Sequence, residues 1–127
     1  EELIPAYDRA FYALMTDLAE TGELAETLVV VASEFGRSPK ITLRNGGREH
    51  WPELYNVVLA GAGIQGGQTY GNSDKLGAYP SENPVGPADF VATRYHLLGI
   101  DPHLETYDQQ NRPFQLTKGN PFPLQMT

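Results

Sequence analysis

Two residue types with metal-binding chemistry frame one loop of this chain. Glu34 follows a short apolar run, and His50 lies near the end of the connection that comes after it. Carboxylate and imidazole groups both bind divalent metal ions, but a defined coordination geometry needs three or four ligands. Either Glu34 and His50 belong to a site whose other ligands lie elsewhere, or ion pairs hold the loop. In that second interpretation Glu34 or Glu49 pairs with Arg37 or Arg48.

The same connection concentrates positive charge. Of the 9 basic residues in the chain, four lie in it: Arg37, Lys40, Arg44 and Arg48. A long connection inside a compact domain is usually functional or disordered. The sequence therefore places a local positive patch beside both candidate metal ligands, in a protein that is acidic as a whole.

Other motifs of catalysis or cofactor binding are weaker. No G-x-S-x-G pattern marks a nucleophilic serine. Residues 61–66 spell G-x-G-x-x-G after an apolar run, but a dinucleotide site requires its third glycine to open a helix. Poor helix formers follow here, so we expect a glycine turn. We expect His96 to be a packed or surface helix residue, His103 a solvated loop residue, and Trp51 a buried anchor of the basic loop.

The apolar pattern predicts the elements that position these residues. Apolar side chains at spacings of three and four predict an amphipathic helix from Leu3 to Thr21, packed on a sheet. The β-branched run at 27–32 does not alternate, which favours a strand buried on both faces. A second strand is expected at 55–60 and a helix from Pro87 to Gly99. The predicted fold class is α/β, a sheet flanked by helices, followed by a mostly extended tail at 101–127.

Composition excludes several classes of function. The chain has 127 residues, a formal net charge of -7 and no cysteine. An acidic chain repels a phosphate backbone, so we do not expect a generic nucleic-acid binder. No apolar run approaches the roughly 20 residues of a membrane span. Disulfides, thiolate metal sites and a cysteine nucleophile are excluded. The chain opens on Glu1 rather than on a Met, which is compatible with a longer precursor.

Three stretches, residues 27–36, 50–61 and 87–100, together resemble the carboxyl-terminal third of enzymes in the alkaline phosphatase superfamily, which includes sulfatases and phosphatases. More narrowly, residues 34–39, 47–51 and 77–80 resemble the bacterial sulfatase-like family called domain of unknown function 1501. Two departures matter. Phe35 stands where the superfamily commonly has a histidine ligand, and Glu49 stands where the family usually has aspartate.

The resemblance implies an alkaline-phosphatase-like sandwich, of which residues 1–127 would be the C-terminal segment. It implies that Glu34 and His50 bind a divalent metal ion (Zn, Ca, Mg or Mn) that stabilises charge on an ester. It also implies that Arg37 and Arg48 bind the anionic substrate, a sulfate or phosphate ester of a small molecule or polysaccharide. The nucleophile would lie outside this chain, so we expect residues 1–127 alone to be inactive.

Two other classes of function stay open. With Phe35 in place of a ligand, the protein could be a catalytically inactive binding or structural module of the bacterial cell envelope; an exported location is implied by the resemblance alone. Alternatively, a half-sheet leaves an apolar face or edge, which would favour self-association or pairing with a missing N-terminal part.

Overall fold

The structure, a computed structural model, describes residues 3–44 and 46–127 and combines two helices with small antiparallel sheets. Glu1, Glu2 and Asn45 lie outside that description. Helix α1 spans Leu3–Thr21, α2 spans Pro87–Leu97, and a 3-10 turn spans Glu23–Ala25. The strands are β1 (Leu28–Val31), β2 (Gly36–Arg37), β3 (His50–Trp51), β4 (Val58–Gly61), β5 (Asn72–Ser73), β6 (Pro80–Glu82), β7 (Glu105–Tyr107) and β8 (Pro113–Gln115). The expected mixture of α and β elements is confirmed.

The strands form four two-stranded antiparallel pairs, β1–β4, β2–β3, β5–β6 and β7–β8. Within the first pair, Val30 lies opposite Leu59. All four residues of β1 are half-buried, so the prediction of a strand buried on both faces is wrong for the described residues. A two-stranded ribbon offers too little neighbouring surface to cover both of its faces. The β-branched run therefore identified a strand correctly but not its surroundings.

Helix α1 forms where the apolar spacing predicts it. Gly22 ends it in the left-handed conformation, with φ of 80°, which costs glycine little. No residue of α1 is fully buried, and Leu3 is 85% exposed. The helix contacts chiefly the 3-10 turn that follows it, so its predicted packing on a sheet is wrong here. Neither described helix is both long enough and apolar enough to cross a bilayer.

The most deeply buried part of the structure lies where the C-terminal segment crosses α2. Ala92 is 0% and Thr93 1% exposed. The Thr93 hydroxyl donates to the Asp89 carbonyl (2.8 Å) and accepts from the Phe122 amide (3.1 Å). The Asp89 carboxylate accepts from the Asn120 amide at 2.9 Å. Since a buried hydroxyl must be paired, these bonds fix the path of the tail along the helix.

The tail also covers the glycine turn after β4. Gly61, Ala62 and Gly63 have φ values of 80°, 49° and 76°, and no helix follows them, which confirms the turn interpretation. Met126 forms a β-bridge with Ile64 above this turn.

The hairpin β7–β8 lies in the same tail. At its turn, hydrogen bonds from Arg112 lower the pKa of Asp108. Between the hairpin and α2, a ring nitrogen of His103 lies 3.0 Å from the Gly119 carbonyl oxygen.

Gly119 provides a test of how tightly the tail is seated. A Cβ at this position would overlap the backbone of Ala88 and Asp89, atoms that cannot rotate away. We expect Gly119→Ala to lower the free energy of unfolding by about 1–3 kcal/mol. Gly66→Ala is the matched control, because a Cβ at Gly66 meets nothing within 4 Å. Urea unfolding measures both; equal midpoints for the two variants would contradict the packing described.

Candidate functional site

The pairing of β2 with β3 closes the basic loop and brings its two ends together. Arg37 lies opposite His50, and Gly36 opposite Trp51. The Ser38 amide extends the pairing by donating to the Glu49 carbonyl at 2.9 Å. The connection therefore has paired ends, while its described residues between them form neither helix nor strand, as an irregular connection would. Its closure depends on contacts distant in sequence, which the local pattern does not reveal.

Gly36 is required at this position by close packing. An added Cβ would overlap the Leu54 carbonyl oxygen and lie 3.2 Å from the Trp51 carbonyl oxygen. The chain after β3 thus passes directly against the start of β2. A glycine allows this approach. Gly36 and Leu54, together with Glu34 and Phe35, line one cleft beside the ribbon.

An open cleft of about 520 Å³ lies beside this sheet. Residues with side chains of different chemistry line it, among them Ser33, Glu34, Phe35, Arg37, Asn56 and Ser73. The structure therefore brings two sequence-predicted site residues, Glu34 and Arg37, to one cleft. A carboxylate is a group that can bind a cation, and a guanidinium is one that can bind an anion. Asn56 and Ser73 are lining residues that no sequence motif singled out.

His50 lies against an aromatic residue that lines the cleft. Its side chain is exposed, and its ring stacks on Phe35 with the ring centroids 4.0 Å apart and the planes 28° apart. Phe35 in turn lines the cleft, whereas His50 does not. Both predicted ligands are thus adjacent to Phe35, Glu34 as the preceding residue of the chain and His50 through its ring.

The two predicted substrate-binding arginines have different surroundings. Nη1 of Arg48 donates to the carbonyls of Ser38 (2.8 Å) and Pro39 (2.7 Å) across the loop. Nη1 of Arg37 donates to the Arg48 carbonyl at 3.3 Å, and its guanidinium carbon lies 5.8 Å from the centroid of the Phe35 ring. Arg48 is therefore engaged in holding the loop, and Arg37 lines the cleft.

The ion-paired loop considered above is not seen among the described residues. The ion pair found there is Arg112 with Asp108, at 2.6 Å, in the β7–β8 turn. In the basic loop, backbone carbonyls take the place of the expected carboxylates as partners of Arg48. A carbonyl is an equally available acceptor for a guanidinium N–H, and sequence spacing cannot distinguish the two.

Trp51 anchors the loop, although it is half-buried rather than buried as expected, and the structure identifies its partner. The indole N–H donates to the Ala78 carbonyl at 2.6 Å, and the ring meets Tyr79 edge-on at 5.6 Å. The Asp74 carboxylate holds the turn before Ala78 by accepting from the amides of Leu76 and Ala78. The turn between β5 and β6 is thereby attached to the basic loop and forms part of the cleft wall.

Glu34 and His50 remain two donors rather than a complete metal site. Nowhere in residues 3–44 and 46–127 do three or more His, Cys, Asp or Glu side chains lie together as a metal-ligand group. Oxygen and nitrogen donors of these types suit a divalent ion chemically. A stable site would need further ligands in addition to this pair.

The contacts of Arg48 generate a prediction about loop stability. Replacing Arg48 by alanine removes hydrogen bonds to two carbonyls, so we expect Arg48→Ala to lower the free energy of unfolding by about 1 kcal/mol. Arg44→Ala is the control, because Arg44 is an exposed arginine of the same loop and the change removes the same charge. Chemical denaturation and limited proteolysis within the loop report the effect; equal behaviour of the two variants would refute it.

Comparison with known proteins identifies a family for the chain. No curated protein and no solved structure matches the chain. A family model described as "Protein of unknown function (DUF1501)" matches residues 1–125. The matched range includes the basic loop, the cleft and the tail that crosses α2. The chain belongs to the DUF1501 family.

Proposed function

We propose that this chain belongs to a metal-dependent hydrolase that acts on sulfate or phosphate esters. It would supply the metal ligands from the C-terminal part of the domain and the arginine that binds the anion. The strongest support is that Glu34 and Arg37 share one cleft, with His50 stacked on the ring beside them. The resemblance of the loop motifs to sulfatase-like proteins supports the same chemistry. We further propose that the complete domain is an alkaline-phosphatase-like sandwich.

Each side chain would have one role. Glu34 and His50 would hold a divalent ion, one of Zn, Ca, Mg or Mn, through oxygen and nitrogen. When bound, such an ion polarises the ester oxygen and offsets the charge that develops on it. Arg37 would bind the sulfate or phosphate oxygens, for which its planar N–H pairs are suited.

The hydrogen bonds made by the cleft serines Ser33 and Ser73 support a nucleophile that lies outside the described residues. The Ser33 hydroxyl donates to the Phe35 carbonyl at 2.7 Å, and the Ser73 hydroxyl donates to the Asp74 carbonyl at 3.1 Å. A serine nucleophile instead needs a base that accepts its proton. These two hydroxyls are engaged in shaping the loop and the β5 turn. The reaction therefore needs a nucleophile and further ligands supplied from elsewhere.

An inactive binding module is the second candidate function. It is favoured because the described residues contain no group of three or more His, Cys, Asp or Glu side chains that could hold a metal ion. In such a module Arg37 would still bind an anion, since a guanidinium needs no metal to pair with sulfate. The two candidates differ in whether Glu34 and His50 bind a divalent ion.

Metal binding is the direct test of the hydrolase proposal. We expect the wild-type chain to bind Zn²⁺ or Mn²⁺ weakly, since it supplies two of the ligands, and Glu34→Gln and His50→Ala each to weaken that binding by at least 10-fold, since even outer-shell losses cost about 10–100-fold. His96→Ala is the matched control, because His96 is an exposed histidine of α2. Isothermal titration of metal-free protein gives the affinities. Identical titrations of wild type and both ligand variants would favour the binding module.

Anion binding tests the role given to Arg37. Charge-assisted hydrogen bonds contribute about 1.5–3 kcal/mol, so we expect Arg37→Ala to weaken sulfate binding about 10-fold or more. Arg44→Ala lowers the charge equally without removing a residue of the cleft and serves as control. Titration with sodium sulfate at constant ionic strength, followed by amide chemical shifts of the loop, measures the affinities. Equal weakening in both variants would indicate nonspecific attraction to positive charge.

A further inference from the structure

Arg37 and His50 lie on one face of the β2–β3 ribbon, and Phe35 lies beside them. In an antiparallel pair, residues directly opposite share a face, as Arg37 and His50 do. Phe35 lies directly before β2, and its ring contacts both of these side chains. Arg37 and His50 are thus neighbours because of backbone register.

The Phe35 ring contacts both of the other side chains. Its centroid lies 4.0 Å from that of the His50 ring, with the planes 28° apart. The guanidinium carbon of Arg37 is 5.8 Å from the same centroid, within the roughly 6 Å range of cation–π attraction. Arg37 and His50 are exposed, whereas Phe35 is half-buried. An exposed side chain samples several rotamers unless a neighbour restricts it, and here the neighbour common to both is one ring.

The backbone beneath that ring is firmly held. The Phe35 carbonyl accepts the Ser33 hydroxyl at 2.7 Å, and the next residue, Gly36, packs against the Leu54 carbonyl. Stacking on a face leaves both nitrogens of an imidazole accessible, because their bonding directions lie in the ring plane. Phe35 can therefore restrict His50 without blocking its ligand atoms.

We propose that Phe35 is a positioning residue, whose ring holds the His50 imidazole and the Arg37 guanidinium at a fixed separation beside the cleft. The use of these two groups for metal and anion rests on the proposed function, whereas the positioning itself does not. Phe35 acts through its neighbours and supplies no ligand atom. Replacing Phe35 should therefore let both the Arg37 and the His50 side chains sample more rotamers.

The test compares Phe35→Leu, which keeps an apolar side chain but removes the ring, with Phe35→Tyr, which keeps the ring. In wild type we expect an upfield ring-current displacement of the His50 ring protons relative to those of His96, measured by NMR on the metal-free chain. Phe35→Leu should lose this displacement and weaken Zn²⁺ and sulfate binding by about 10-fold each. Phe35→Tyr should keep the ring-current displacement and the Zn²⁺ and sulfate affinities of the wild type. Phe114→Leu, in the exposed part of β8, controls for loss of an aromatic ring elsewhere.

Several outcomes would overturn the proposal. Wild-type His50 protons without upfield displacement would do so before any variant is made, which covers the case of a Phe35→Leu chain that fails to fold. Unchanged His50 shifts in Phe35→Leu would do the same, as would unchanged Zn²⁺ and sulfate affinities where wild type binds both. A different result would separate the two proposals. If Phe35→Leu loses the displacement and the wild-type chain binds neither Zn²⁺ nor sulfate, the positioning role is supported and the proposed function is rejected.

Discussion

Backbone pairing between Gly36–Arg37 and His50–Trp51 brings together side chains that a long loop separates in sequence. Register decides which of them share a face, since a slip by one residue would turn every side chain to the other side. The close packing of Gly36 on the Leu54 carbonyl fixes where this ribbon lies. The cleft, the contact of Arg37 with the Phe35 ring and the position of His50 all follow from this arrangement.

Directed polar contacts, more than deep apolar burial, hold the described structure together. Trp51 donates to the Ala78 carbonyl, Arg48 to the carbonyls across its loop, and the Phe122 amide to Thr93. Such bonds contribute about 0.5–1.5 kcal/mol each, so no single one dominates the stability. Meanwhile Leu3 and other large apolar side chains are exposed. Exposed apolar groups are typical of surfaces that associate with partners, so the partner-binding interpretation remains a prediction.

Arg37 and Arg48 have the same side-chain chemistry but different surroundings in the structure. Both Arg37 and Arg48 suit an anionic ester by residue type, and both lie in the same basic loop. Their neighbours differ: both arginines donate to carbonyls of the loop, but only Arg37 also lies against an aromatic ring and lines the cleft. A net charge of -7 repels anions at long range, so a specific local cation is needed to hold one. Arg37, the arginine that lines the cleft, is the one we propose for that role.

Local sequence alone located both helices and the strands β1 and β4, and indicated where several of these elements end. Helical spacing located α1, Gly22 ended it, Pro87 began α2, and the glycines after β4 formed a turn, because these features depend on near neighbours along the chain. Tertiary structure decided what each element lies against: that β1 is only half-buried, that His50 stacks on Phe35, and that the tail hydrogen-bonds to Thr93. These outcomes depend on pairing register and on partners distant in sequence, and a local pattern of apolar and polar residues encodes neither.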